Sequence, residues 1–137
     1  MRIEGLLKVG IAVKDIRKAV DCFADVLGLV PGEIVTYEPY GMRYCLFELG
    51  DLFLELMEPT TPDGPIGRFI ENHGEGLQHL SMRVSNMEEA IAELKGKGVR
   101  FAQEAPIREE VVFGAAKFTF LQPQSCHGVL LQLVELE

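Results

Sequence analysis

The 137 residues carry 21 Asp and Glu against 13 Lys and Arg, a formal charge of −8, with 47% hydrophobic and 25% charged side chains. That is one ordinary globular domain by length and composition. It lacks the clustered cations a nucleic-acid partner requires and the roughly 18 consecutive apolar residues of a membrane span.

The first strand is expected over residues 5–13. Leu7, Val9, Ile11 and Val13 fall on one face, while Lys8, Gly10 and Ala12 fall on the other, because strand side chains have period two. Asp15 is placed to cap a helix with Ile16, Val20, Phe23 and Leu27 as its apolar stripe and Gly28 as its terminator. Pro31-Gly32 marks a turn, residues 33–37 and 42–49 read as strands, and Gly50-Asp51 turns into a strand over 52–58. The order is β-α-β-β-β. Residues 59–75 then form a linker with one short packed helix from Ile66 to His73, stopped at Gly74.

The second half repeats the plan. Strand 78–84 places His79, Ser81 and Arg83 opposite Leu80, Met82 and Val84. Asn86 caps a helix that carries Met87, Ile91 and Leu94 inward and ends at Gly98. Strands are expected at about 99–102, 111–120 and 128–136, with Gly114-Ala115-Ala116 interrupting the middle one as a bulge or a close backbone approach. The N-terminus reads as a strand and not as a signal peptide. Cys22, Cys45 and Cys126 show no CxxC spacing and read as reduced thiols, two of them buried. A cytoplasmic location is the expectation.

The two halves are one unit used twice. Lys8 to Val20 corresponds to His79 to Ile91, 71 residues later, and Leu52 to Glu58 corresponds to Val129 to Glu135. The fold class is therefore α+β. Module one covers about 5–58 and module two about 76–137, the two βαβββ modules forming one curved mixed sheet with a central cup. The repeat makes Lys8 the counterpart of His79, and Glu55 that of Gln132. All four sit in apolar or small-residue strands. A carboxylate beside Phe53 and Met57 is costly unless paired or metal-bound, and His, Glu and an amide oxygen form a possible, weak donor set for a divalent cation. The bland reading stands beside it: Lys8 with Glu55 as a buried ion pair, and His79 with Gln132 as a satisfied hydrogen-bonded pair. His73 reads as a solvated helix end and His127 as an exposed turn residue. Walker, nucleophile-elbow and Rossmann patterns are absent from the sequence.

Several runs carry a resemblance. They are Val9-Gly10-Ile11-Ala12-Val13-Lys14-Asp15, Leu27-Gly28-Leu29, Glu55-Leu56-Met57-Glu58-Pro59, Pro65-Ile66 with Phe69-Ile70, and Gly76-Leu77-Gln78-His79. Lys97-Gly98-Val99 and Phe120-Leu121-Gln122-Pro123 with Gly128-Val129-Leu130 continue it. Nearly the whole chain thus resembles the methylmalonyl-CoA epimerases of the vicinal oxygen chelate superfamily, which also holds glyoxalase I, extradiol dioxygenases and bleomycin-resistance proteins. The resemblance implies paired βαβββ modules, a homodimer, and a divalent metal (cobalt, zinc, manganese, nickel or iron). It also implies 1,1-proton transfer through a metal-stabilised enolate of a small acyl thioester or carboxylate. The four metal-site positions fall on Lys8, Glu55, His79 and Gln132.

The match departs from the pattern where it matters. The epimerase pattern has His at the first position and an acid/base Glu at the last, where this chain has Lys8 and Gln132. Gln122-Pro123-Gln124 stands for His-Pro-Lys, Gln78-His79 for His-His, and Arg108 to Ala116 for a Gly-rich loop. Tyr44 lies near the position of the other proton-transfer carboxylate. An amide is no general base, so two repairs are open. In one, a metal stays on Glu55, His79 and Gln132, with Lys8 swung aside to transfer protons. In the other, Lys8 supplies the positive charge, Glu55 keeps it charged and His79 moves the proton. Lys8, His79 and Glu55 are the candidate catalytic residues of an isomerase or lyase. The alternatives are a metal-free small-molecule binding protein of bleomycin-resistance type and a duplicated scaffold with a degenerate site.

Overall fold

A computed structural model describes every residue except Phe113. The first module contains β1 (Ile3–Ala12), α1 (Ile16–Leu27), β2 (Val35–Tyr37), β3 (Met42–Leu49) and β4 (Leu52–Pro59). After α2 (Pro65–His73) the second contains β5 (Gly76–Val84), α3 (Met87–Gly96), β6 (Ile107–Val111), β7 (Gly114–Phe120) and β8 (Leu131–Leu136). Each module has the βαβββ order that the spacing predicts. The chain forms two compact units, residues 8–78 and residues 79–137 together with 1–7. Among the described residues no helix is long and apolar enough to cross a membrane.

In the first module the strands lie in the order β2-β3-β4-β1, with β1 parallel to β4 and the other pairs antiparallel. The α1 helix begins where two carboxylates meet its unsatisfied N–H groups. Asp15 Oδ1 accepts from Lys18 N at 3.1 Å and Glu58 Oε2 accepts from Ile16 N at 2.9 Å. Gly28, at φ 68°, ends the helix in the left-handed conformation. Ile16, Ala19, Val20 and Phe23 pack on Cys45, Phe47, Leu54 and Leu56. Leu27, expected to close that stripe, is exposed; the chain reverses at Gly28 and Leu29 packs on the core instead. The α2 helix is packed, as expected. A Cβ on Gly67 would lie 2.6 Å from the Thr61 carbonyl oxygen, so the linker backbone presses directly on the helix.

In the second module the order is β6-β7-β8-β5, with β5 parallel to β8 and the other pairs antiparallel. Asn86 Oδ1 accepts from Glu89 N at 3.0 Å at the start of α3. Met87, Ala90, Ile91 and Leu94 pack on Val84, Leu121 and Leu133. The helix ends at Gly96 and not at Gly98, which takes φ 84° in the reversal beyond it.

The strand expectations need correction here. Residues 99–102 supply only an isolated bridge, Phe101 to Leu121. The expected single strand 111–120 is instead the end of one strand and the whole of another, β6 and β7, paired from Ile107↔Phe118 to Val111↔Gly114. Gly114 (φ 104°) opens β7 and does not interrupt it. Phe113, within the expected strand, lies outside the described residues. Of the three thiols only Cys45 is buried; Cys126 is half-buried, and Cys22 is exposed.

Candidate functional site

Strand parity assigns the faces of each module. In the first, Val9, Ile11, Leu54, Leu56, Cys45 and Phe47 pack on the helix side. The opposite face therefore holds Lys8, Gly10, Phe53, Glu55, Met57, Leu46 and Tyr44. Glu55 sits between Gly10 on β1 and Leu46 on β3. Gly10 has no side chain to offer, and Lys8, two residues earlier on the same face, reaches diagonally instead. Its Nζ lies 2.8 Å from Glu55 Oε1, with the two side chains 12% and 5% exposed. This is a part-buried, charge-assisted hydrogen bond. Tyr44 shares the face, and burial first, then the charge of Glu55, pushes its phenol above the ordinary value. The hydroxyl is therefore held protonated, as a donor.

The second module repeats the register. Ser81 on β5 lies opposite Gln132 on β8, as Gly10 lies opposite Glu55 71 and 77 residues earlier, and Phe120 on β7 takes the place of Leu46. His79, Ser81 and Gln132 are all buried. Ser81 Oγ donates a short hydrogen bond to Gln132 Oε1, and the His79 imidazole meets the Phe120 ring edge-on at 5.9 Å between centroids. Glu55, His79 and Gln132 are thus buried, and Lys8 half-buried, on the face away from their module's helix. Lys8 and Glu55 come together in the first module, and His79 and Gln132 share a face in the second.

Two residues that the sequence reading did not single out complete these clusters. The sequence places Ser81 on the same face as His79, and the 71-residue offset sets it on Gly10, so at this position the modules differ by one side chain. Tyr44 was noted only through the resemblance. The remaining histidines behave as expected. His73 is exposed and stacks near Phe69 at 4.9 Å, and His127 is exposed at φ 56°.

The donor chemistry does not fit a divalent cation on the expected ligands Glu55, His79 and Gln132. One oxygen of Glu55 is held by an ammonium, and the Gln132 carbonyl, a weak ligand at best, is held by the Ser81 hydroxyl. A dication bonded to Glu55 would stand about 4 Å from the Lys8 charge. At an effective dielectric constant of about 20 that repulsion is roughly 8 kcal/mol, twice the unit-charge value. Among the described residues no group of three His, Cys, Asp or Glu side chains is arranged to hold a metal ion.

Residues 7–120 match the Glyoxalase/Bleomycin resistance protein/Dioxygenase superfamily, and the chain belongs to it. Within it, its relatives include several epimerases. The human mitochondrial methylmalonyl-CoA epimerase is 34% identical over 128 residues, covering 91% of this chain and 70% of that protein. The crystal structure of the Mycobacterium tuberculosis methylmalonyl-CoA epimerase superposes with a TM-score of 0.89 at 30% identity, over 98% of this chain and 89% of that one. A methylmalonyl-CoA epimerase in complex with methylmalonyl-CoA and NH4+ superposes equally well at 28% identity, over 98% and 96%. The vicinal oxygen chelate fold that the resemblance implies is the fold of these structures.

Proposed function

We infer that this chain is an epimerase-like isomerase that exchanges the proton on the carbon α to the thioester carbonyl of a small acyl-CoA, such as methylmalonyl-CoA. The observation that carries the reading is the Lys8–Glu55 pair, nearly buried on the face away from the helix in a chain whose relatives include methylmalonyl-CoA epimerases. Burying two charges is expensive and adds little net stability, so a pair at this position is better explained by chemistry than by folding. In this reading Lys8 and His79 are the catalytic residues and Glu55 positions Lys8. A base removes the α-proton, the C–H electron pair moves into the C–C bond, and the thioester oxygen takes the negative charge. That charge needs a fixed positive partner. A solvent-derived proton is then delivered to the opposite face, and the configuration at the α-carbon is inverted.

Gln132 takes no part in proton transfer, because its amide has no usable protonation step and its carbonyl already accepts from Ser81. His79, buried beside Phe120, is the group that moves the proton. The relative solved with both methylmalonyl-CoA and NH4+ lends support, since an ammonium and the substrate coexist in that protein. A homodimer in the cytoplasm belongs to the same reading.

The test is Glu55→Ala on an assay that follows conversion of one C2 epimer of methylmalonyl-CoA to the other. An enzyme loses turnover while still binding the thioester. Turnover retained in the folded variant refutes the catalytic assignment. Binding of acyl-CoA with no turnover in the wild type would identify the chain as a binding protein instead.

A further inference from the structure

We propose that the ammonium of Lys8, fixed on Glu55, takes the place of the divalent cation that the resemblance implies and is itself the electrophile that stabilises the enolate oxygen. The proposal rests on the isomerase reading above and names the source of its positive charge.

Three observations support it. The first is occupancy: Lys8 Nζ is 2.8 Å from Glu55 Oε1, and both side chains are almost completely buried on adjacent parallel strands. A charge held on rigid strands by a charge-assisted bond is preorganised, which is what electrostatic stabilisation of a developing oxyanion requires. The second is donor count. A lysine ammonium has three N–H donors; Glu55 engages one, and the remaining number matches one oxygen from the thioester carbonyl and one from the carboxylate of a malonyl-type thioester. The third is the difference between the modules. Glu55 faces Gly10, which offers it no side chain, and is bonded by Lys8, whereas the counterpart Gln132 faces Ser81 and accepts its hydroxyl. The first module is built to hold an ammonium against a carboxylate. In the second, the amide's carbonyl is turned to a protein donor.

The step balances without a metal or an oxidant. The α-carbon gives its proton to a base, its electron pair forms the enolate double bond, and the thioester π pair moves onto oxygen opposite the ammonium. Protonation of the carbon on the other face reverses each movement. Lys8 stays protonated throughout, so it acts as a fixed charge and hydrogen-bond donor.

The experiment has a metal arm and an exchange arm, both on the full chain. In the metal arm, the purified protein is analysed for bound metal and titrated with Co2+ beside Lys8→His. The expected result is far less than one metal per chain, no saturable Co2+ site in the wild type, and a site gained in the variant. Saturable Co2+ binding by the wild type, or stoichiometric metal whose removal stops exchange, overturns the proposal.

In the exchange arm, incorporation of deuterium at C2 of methylmalonyl-CoA is followed in D2O with and without EDTA. EDTA should leave the wild-type rate unchanged. Lys8→Ala should lower it by roughly 10²–10³-fold, the loss typical of removing one oxyanion partner, and added ammonium chloride should restore part of it. If the lone Glu55 charge unfolds that variant, the double variant Lys8→Met with Glu55→Gln removes both charges and should be folded but equally slow. Full exchange by a folded variant without Lys8 overturns the proposal. A wild type that exchanges nothing refutes the isomerase reading, and the Co2+ arm then decides alone whether Lys8 holds the cation's place.

Discussion

The Lys8–Glu55 pair makes a quantitative prediction about stability. At 2.8 Å and an effective dielectric constant of about 20, the attraction between the two charges is about 6 kcal/mol. Desolvation of both groups offsets most of it, so the pair as a whole contributes little. Removing one partner is different. Lys8→Met leaves the Glu55 carboxylate buried without its cation, and Glu55→Gln leaves the ammonium buried without its anion. Each should destabilise the protein by about 3–5 kcal/mol. The double variant should recover nearly all of that, because neither charge remains. Urea denaturation followed by circular dichroism gives the four midpoints and slopes of the cycle. The contrast is Arg108→Ala, which breaks an ion pair to Glu137 in which the arginine side chain is 71% exposed; its cost should stay below about 1 kcal/mol. Losses in the two single Lys8 and Glu55 variants that simply add in the double would refute the reasoning, since independent charges do not form a buried pair.

Other consequences follow from the same geometry. Ser81→Ala removes the donor to a fully buried amide oxygen and should cost about 1–3 kcal/mol by urea denaturation, with the fold retained. Gly67→Ala forces a methyl group within 2.6 Å of the Thr61 carbonyl oxygen and should cost about 1–3 kcal/mol in the same assay, because both contacting parts are backbone-fixed. Stability should also decline in alkali. Burial, and then the Glu55 charge, holds the Tyr44 phenol above its ordinary value of 10.0. Burial holds the Cys45 thiol above 9.0, against a smaller lowering by its bond to the Gly32 carbonyl. Raised values mean that the folded state keeps these protons more tightly than the unfolded chain. Their contribution is complete below pH 9 and is lost as pH rises through the shifted values. Denaturation midpoints measured from pH 8 upward should fall, and Tyr44→Phe and Cys45→Ala should each flatten the decline.

Much of this arrangement was legible in the sequence because it rests on periodicity and duplication. Strand alternation put Lys8 and Glu55 on one face and His79 and Gln132 on another, and the internal repeat picked out the four positions before any fold was known. The caps at Asp15 and Asn86 and the reversal at Gly28 were equally readable, since each is a local requirement of a helix end. What escaped was whatever depends on partners across strands. The charge pair was one of two readings until the register set Gly10, with no side chain, opposite Glu55. The role of Ser81 required its pairing with Gln132. The later strands of the second module escape the sequence pattern for a related reason. Ile107 to Val111 reads as a polar stretch because Arg108, Glu109 and Glu110 outweigh its apolar ends, and only pairing to β7 makes it a strand. Apolar Val99 and Phe101 looked more strand-like, but they pack on the α3 core and contribute one bridge.

The central claim, proton exchange α to a thioester, is tested most directly by incubating the protein with methylmalonyl-CoA in D2O and recording the mass of the recovered thioester. The account predicts catalysed gain of one deuterium at C2, abolished in His79→Ala. Recovery of unlabelled thioester at the uncatalysed rate, from protein shown to be folded, would contradict it.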